Sequence, residues 1–130
     1  MGEHIYPGKC ILLPKPNQPT RHLWIVLTEA DKNSLEVVFV NLTTHRHDSD
    51  DTVILDKGDH EFIKHRTVVY FADTRFAPVN KLKEIAKQDE YNFHKDCSTE
   101  MLKRIQCGLL ISKFTPKKFK QYCKPVFSFC

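Results

Sequence analysis

Two hydroxyls, two imidazoles and a guanidinium follow one another at Thr43, Thr44, His45, Arg46 and His47. They come directly after an apolar run, VVFV at 37–40, that reads as a buried strand, and directly before an acidic run from Asp48 to Asp51. Strand ends on a rigid scaffold are where binding and catalytic groups concentrate. Histidine has an ordinary pKa of about 6.5, so it can give or take a proton near neutral pH. A second cluster, Lys64, His65 and Arg66, follows Phe62-Ile63, which reads as a local apolar plug; cations placed there stand where a phosphate would arrive. Each residue also has a plainer reading. Thr43 and Thr44 suit strand ends by propensity alone, and only one of two successive strand residues faces a given side. The run from Asp48 to Asp51 is an ordinary solvated acidic loop, although with His47 it also has the donors for a hard cation.

His60 and His65 form HExxxH, one residue longer than the HExxH zinc motif. On a helix, positions i and i+5 lie about 500° apart and do not share a face; on a strand, odd spacing sends them to opposite sides. A metalloprotease is therefore disfavoured, and no metal and no cofactor are expected.

The elements that must position these groups divide the chain. Residues 1–79 read as strands and loops, and residues 80–123 as helices, which predicts an α+β fold with helices packed on one side of a small sheet or barrel. Strands are expected at 9–13, 23–28, 35–42, 52–55, 67–72 and 76–79. Pro14, Pro16 and Pro19 exclude a central strand between the first two. The turn ADKNS at 30–34 makes a hairpin of the second and third strands. Asn80 is a candidate cap for the helix KLKEIAKQ, and Ser98 for STEMLKRIQCGLLIS, where Leu102, Ile105 and Leu109 recur at helical spacing. Gly108 weakens the latter helix. Thr115-Pro116 reads as a cap with proline opening a last helix, which Phe119 with Tyr122 or Cys123 anchors. Residues 124–130 read as a tail.

The totals restrict the class further. With 130 residues, one domain with a real core is expected. No apolar run approaches the roughly 20 residues of a membrane span, and the N-terminal MGEHIYPGK has no signal core, so a cytoplasmic protein is expected. The five cysteines, at 10, 97, 107, 123 and 130, form no CxxC pair and read as reduced thiols, most of them buried. The net charge is +4, but no acidic residue follows Glu100 while seven lysines and arginines do. That basic end is either a solvated helix face or a surface for an anionic partner.

The order of these features (strand, proline-rich loop, Arg-led strand RHLWIVLT, a strand ending in VNLTTH, and a later strand running into Asp as YFADTR) resembles the MazF/Kid/PemK-type toxins. The similarity covers roughly residues 8 to 110. It implies an SH3-like β-barrel, metal-independent cleavage of single-stranded RNA, a small antitoxin as partner and a homodimer. Arg21, Thr44 and Asp73 are the positions that match the family's pattern. The departures are His22 in place of a proline, Phe71 in place of an arginine, Thr74 after the aspartate, the segment GDHEFIKH at 58–65, and the extra C-terminal helix.

On that resemblance the catalytic candidates are Arg21, Thr44, His45, His65 and Asp73. Arg21 would stabilise charge growing on the phosphorane; a histidine would be the acid or base; Asp73 would orient one of them. Thr43, His47, Lys64, Arg66 and Arg75 are the candidate RNA contacts. The rival reading is a non-catalytic module on the same barrel that binds RNA or a protein.

Overall fold

Apolar alternation in the first 80 residues supplies five strands of a six-stranded sheet, and the sixth, Phe93–His94, lies within the stretch 80–123 expected to be helical. The computed structural model describes residues 4–14, 17, 20–88 and 92–130. Its strands are β1 (Cys10–Pro14), β2 (Arg21–Val26), β3 (Glu36–Thr44), β4 (Ile54–Leu55), β5 (Thr67–Pro78) and β6 (Phe93–His94). Helices α1 (Val79–Gln88), α2 (Thr99–Ile111) and α3 (Lys117–Val126) complete the elements. The strand order is β4-β5-β3-β2-β1-β6, and every neighbouring pair is antiparallel. The result is a small α+β domain whose sheet curls into a half-barrel with the C-terminal helices against one face.

Strand alternation sorts the core onto two faces. Leu23, Ile25, Val38, Val40, Val69 and Phe71 meet Ile105 and Leu109 of α2 and Phe119 and Cys123 of α3. Trp24, Val26, Val37 and Phe39 face the other way and meet Leu82 of α1. The first helix thus serves the opposite face from the last two, because Leu82 and Ile85 are its apolar stripe and the first face is already filled. Trp24 is core as its strand position implies: it is buried and its ring lies 4.3 Å from that of Phe39.

Several boundaries differ from those expected. The strands expected at 67–72 and 76–79 are one strand, β5, with an irregularity inside it. Phe39 pairs with Arg75 but Asn41 with Tyr70, so residues 71–74 stand opposite Val40 alone. The Thr74 hydroxyl donates to the Phe71 carbonyl at 2.6 Å and closes this bulge. Helix α1 begins at Val79, whose N–H donates to the Leu35 carbonyl, so Asn80 lies inside the helix and does not cap it. Ser98 does cap α2, accepting from the Met101 N–H at 3.1 Å. Pro116 is the cap residue of α3 rather than its first helical residue. Helix α3 runs on through Pro125, and Phe127 is buried in the core, so most of the expected tail is structured.

The reading of five reduced thiols fails at two positions: Cys107 and Cys130 form a disulfide, with Cα atoms 5.5 Å apart. Cys10, Cys97 and Cys123 remain thiols. Contact with Cys97, then burial, pushes the Cys10 thiol far up, and burial pushes Cys123 up to about 12. Neither is a thiolate nucleophile at neutral pH.

Gly108 illustrates how packing overrides propensity. A Cβ there would lie 2.4 Å from Val53 Cγ2 and 3.0 Å from Phe71 Cζ. The glycine weakens the helix intrinsically, by about 1 kcal/mol against alanine, but lets α2 settle onto the sheet. We expect Gly108→Ala to destabilise the protein by about 1–3 kcal/mol, the usual cost of overpacking. A denaturant midpoint above that of the wild type would show that propensity dominates instead.

The β2–β3 turn is clasped to α3. Asp31 accepts from the backbone N–H groups of Asn33 and Ser34 at 2.8 and 3.0 Å, and from the Tyr122 hydroxyl at 2.9 Å. Those bonds, with Ser34 first, hold its carboxyl below the ordinary 3.8. Burial, then the bond to Asp31, pushes the Tyr122 phenol from 10.0 up to about 12. The folded state thus favours ionised Asp31 and neutral Tyr122. The carboxylate contribution is whole above its ordinary pKa and is lost as pH falls through the lowered one. The phenol contribution is whole below pH 10 and fades as pH rises through about 12. Tyr122→Phe is expected to flatten the alkaline limb of the stability–pH curve, measured as the difference from wild type; identical limbs would sever the clasp from stability.

Candidate functional site

The site arises where the sheet forks. Strand β2 follows β1 down to Arg21, opposite Pro14, and β3 follows β5 down to Thr44, opposite Thr67. The ladder between β2 and β3, however, stops at Trp24 and Asn41. Below that pair the two strands diverge. The fork leaves a cleft of about 260 Å³ between residues 20–23 and 42–44. Loop 56–66 closes its third side. Of the expected plug Phe62-Ile63, Ile63 is buried in the core while Phe62 stays exposed, and the anchor at Ile63 carries Lys64 and His65 to the rim.

Arg21, Thr44 and His65 all line this cleft, although they come from three separate elements. Thr44 Oγ1 and His65 Nε2 are 3.1 Å apart, and the Arg21 guanidinium donates to Asn92 Oδ1 at 2.9 Å. That bond orients the guanidinium while using one of its five N–H groups. Thr43, Lys64 and Arg46 complete the polar wall, and Leu23, Leu42 and Ile63 supply the apolar part. Three side chains carry permanent positive charge and none of the lining residues is acidic. Cations converging on one concavity without counter-charge make an anion site, and the enclosing apolar wall lowers the screening of that charge.

His22 also lines the cleft, and the sequence reading passed over it as a mere replacement for proline. Its Nδ1 lies 3.1 Å from the Leu42 carbonyl, which can only accept, so Nδ1 is the donor in that bond. The imidazole spans the fork where a ladder hydrogen bond would otherwise run. A histidine opposite a strand end in a predicted hairpin is the signal that would have found it.

The other candidates lie elsewhere. His45 Nε2 is 3.0 Å from Asp51 Oδ1 on the far side of the 44–52 loop, and His47 is exposed on that loop; neither lines the cleft. Arg66 is paired with Asp56 at 3.0 Å. Asp73 accepts from Asn41 Nδ2 at 2.9 Å and from Arg75 at 2.9 Å, and the Arg75 guanidinium rests 5.6 Å from the centre of the Trp24 ring. Asp73 and Arg75 thus belong to a polar cluster beside the second core and not to the cleft. The bulge in β5 puts them there, because it breaks the alternation that would place them from sequence.

Both nitrogens of His60 are engaged: Nδ1 accepts from the Phe62 N–H at 3.0 Å and Nε2 donates to the Lys95 carbonyl at 2.5 Å. Its role is to hold the plug loop. Among the described residues, no group of three or more His, Cys, Asp or Glu side chains has the geometry of a metal site, and none of the candidate helices is long and apolar enough to cross a membrane. No protein-family model matches the chain, and a search of curated proteins returns no match.

Proposed function

We propose that the protein is a metal-independent endoribonuclease that cleaves single-stranded RNA in the manner of MazF/PemK-type toxins. In this reading its half-barrel is an SH3-like barrel of that type, it works in the cytoplasm as a homodimer, and an antitoxin from a toxin–antitoxin or related mobile-element or defence system restrains it.

The observation that carries the proposal is the meeting of Arg21, Thr44 and His65 in one cationic cleft. The cleft walls offer nitrogen and hydroxyl donors and no carboxylate, a set suited to a phosphodiester rather than to a hard cation. In the reaction, the 2′-oxygen loses its proton to a base and attacks phosphorus, and the 5′-oxygen leaves with a proton from an acid. The products are a 2′,3′-cyclic phosphate and a 5′-hydroxyl. His22, whose Nδ1 is tied to the Leu42 carbonyl, is suited through Nε2 to the base, and His65 to the acid. Arg21 and Lys64 stabilise the extra negative charge of the phosphorane. Thr44 orients His65.

A mixed single-stranded RNA incubated with wild-type protein in EDTA tests the reading. Fragments with cyclic phosphate ends are expected, and Arg21→Ala is expected to abolish most of them, on the order of a 10²-fold loss for one preorganised charge donor. The rival, a non-catalytic RNA-binding module, draws on Asp73 standing outside the cleft. RNA binding without any cleavage would decide for it.

A further inference from the structure

A second concavity adjoins the cationic cleft and shares Thr43, Thr44 and Arg46 with it. It measures about 390 Å³. Its walls are unlike those of the first. Tyr70, from β5, and Phe114, from the turn between α2 and α3, are 41% and 53% exposed and both face into it. Two aromatic rings on the wall of one hollow, beside polar groups, suit a flat ligand that can lie against them.

Phe114 is held in place rather than left loose. Asp50 Oδ2 accepts from the Ser112 hydroxyl at 2.6 Å, and Ser112 Oγ in turn accepts from the Phe114 N–H at 3.1 Å. Asp50 Oδ1 accepts from Thr52. The acidic loop after β3 therefore fixes the turn that presents the ring. Asp48, also on the wall, makes no hydrogen bond or ion pair among the described residues. The Arg46 side chain stands between the two hollows and likewise has no partner among them.

We propose that this hollow is a nucleobase subsite, and that it selects guanine. The inference rests on the reading of the neighbouring cleft as a site for an RNA phosphate, and it names the substrate that cleft would act on. The base beside the bound phosphate stacks on Tyr70 and Phe114, and Arg46 contacts the backbone between the two subsites. Asp48 offers two acceptor oxygens and no donor. Guanine alone presents two adjacent donors, N1–H and the 2-amino group, and so meets a carboxylate with a two-pronged hydrogen bond. Adenine and cytosine each set one donor beside a repelling acceptor, and uracil flanks its one donor with two acceptors.

The test is anisotropy with short single-stranded RNAs whose 2′-oxygens are methylated, which blocks cleavage. Each carries one variable position (G, A, C, U or an abasic residue) within an otherwise fixed sequence of uridines. Wild-type protein is expected to bind the G oligonucleotide about tenfold more tightly than the A, C and U versions, the discrimination of a good bidentate contact. Asp48→Ala is expected to erase that preference. Phe114→Ala and Tyr70→Ala, both at exposed positions, are expected to weaken G binding about tenfold, the loss of one stacking contact, and to leave binding of the abasic strand unchanged. Equal affinity for all four bases, or a Phe114→Ala variant that binds G as the wild type does, overturns the base subsite while leaving the phosphate cleft standing. Failure of every strand to bind, the abasic one included, overturns both.

Discussion

His65→Ala is expected to slow RNA cleavage by roughly 10²–10⁴-fold, the contribution of a positioned acid or base, with RNA affinity changed little. The argument rests on placement. His65 is exposed at the rim of the cleft, supported by Thr44 at 3.1 Å, and its own carbonyl accepts from the Thr67 hydroxyl at 2.9 Å, which fixes the backbone that carries the ring. In the proposed reaction, removing the imidazole takes away a proton donor but leaves Arg21, Arg46 and Lys64 on the cleft wall to hold the phosphate. A selective fall in the rate constant under saturating RNA, with the dissociation constant nearly constant, identifies a group that acts in the transition state. His22→Ala provides the second half of the test. If the two imidazoles are base and acid, the wild-type rate falls on both sides of its pH optimum, and each variant loses one limb. A His65→Ala protein that cleaves at the wild-type rate would remove this residue from the mechanism.

The second large effect concerns the bond between Cys107 and Cys130. Its sequence separation is 23 residues, and closing a loop of that size constrains the unfolded chain by about 3 kcal/mol. Cys130→Ser, or reduction of the wild type, is expected to lower unfolding free energy by about that amount. Fold and cleft should survive, because Phe127 and Cys123 still anchor α3 in the core. Denaturant titration with and without reductant measures the change, and the mass gain on alkylation of the unreduced unfolded protein counts the thiols. Three alkylated cysteines are expected from the oxidised form; five would show that no bridge forms. The same measurement on protein taken rapidly from cells bears on the cytoplasmic reading, since such bonds are uncommon in reducing compartments.

The parts of the fold legible in the sequence were those set by short-range pattern. The apolar runs at 23–27 and 37–40 gave the hairpin, and the hairpin register, extended past Trp24 and Asn41, brings Arg21 opposite Thr44. Arg21 and Thr44 were named from the family-like pattern, and this register is the physical reason that they end near each other. His65 followed from a different cue, an apolar pair expected to plug the sheet; Ile63 of that pair is buried and carries the next polar residues to the rim. What escaped depended on register or on tertiary approach. The bulge at residues 71–74 inverts which side of β5 a residue occupies, so Asp73 and Arg75 could not be placed by alternation. His22 escaped because the strands part beneath it, and a regular ladder would have turned it away from Arg21. The disulfide depends on α3 returning along α2, which no spacing of cysteines encodes. The exposure of Phe114 depends on the bonds from Asp50 through Ser112, partners 62 residues apart that no short-range pattern encodes.

The fork between β2 and β3 has a mechanical side as well. Above Trp24 and Asn41 the two strands are tied by backbone bonds; below, the His22 imidazole reaches across to the Leu42 carbonyl. The mouth thus lacks the backbone ladder that ties the strands above it. A change at His22 would therefore alter the width of the mouth while the paired strands above it stay tied.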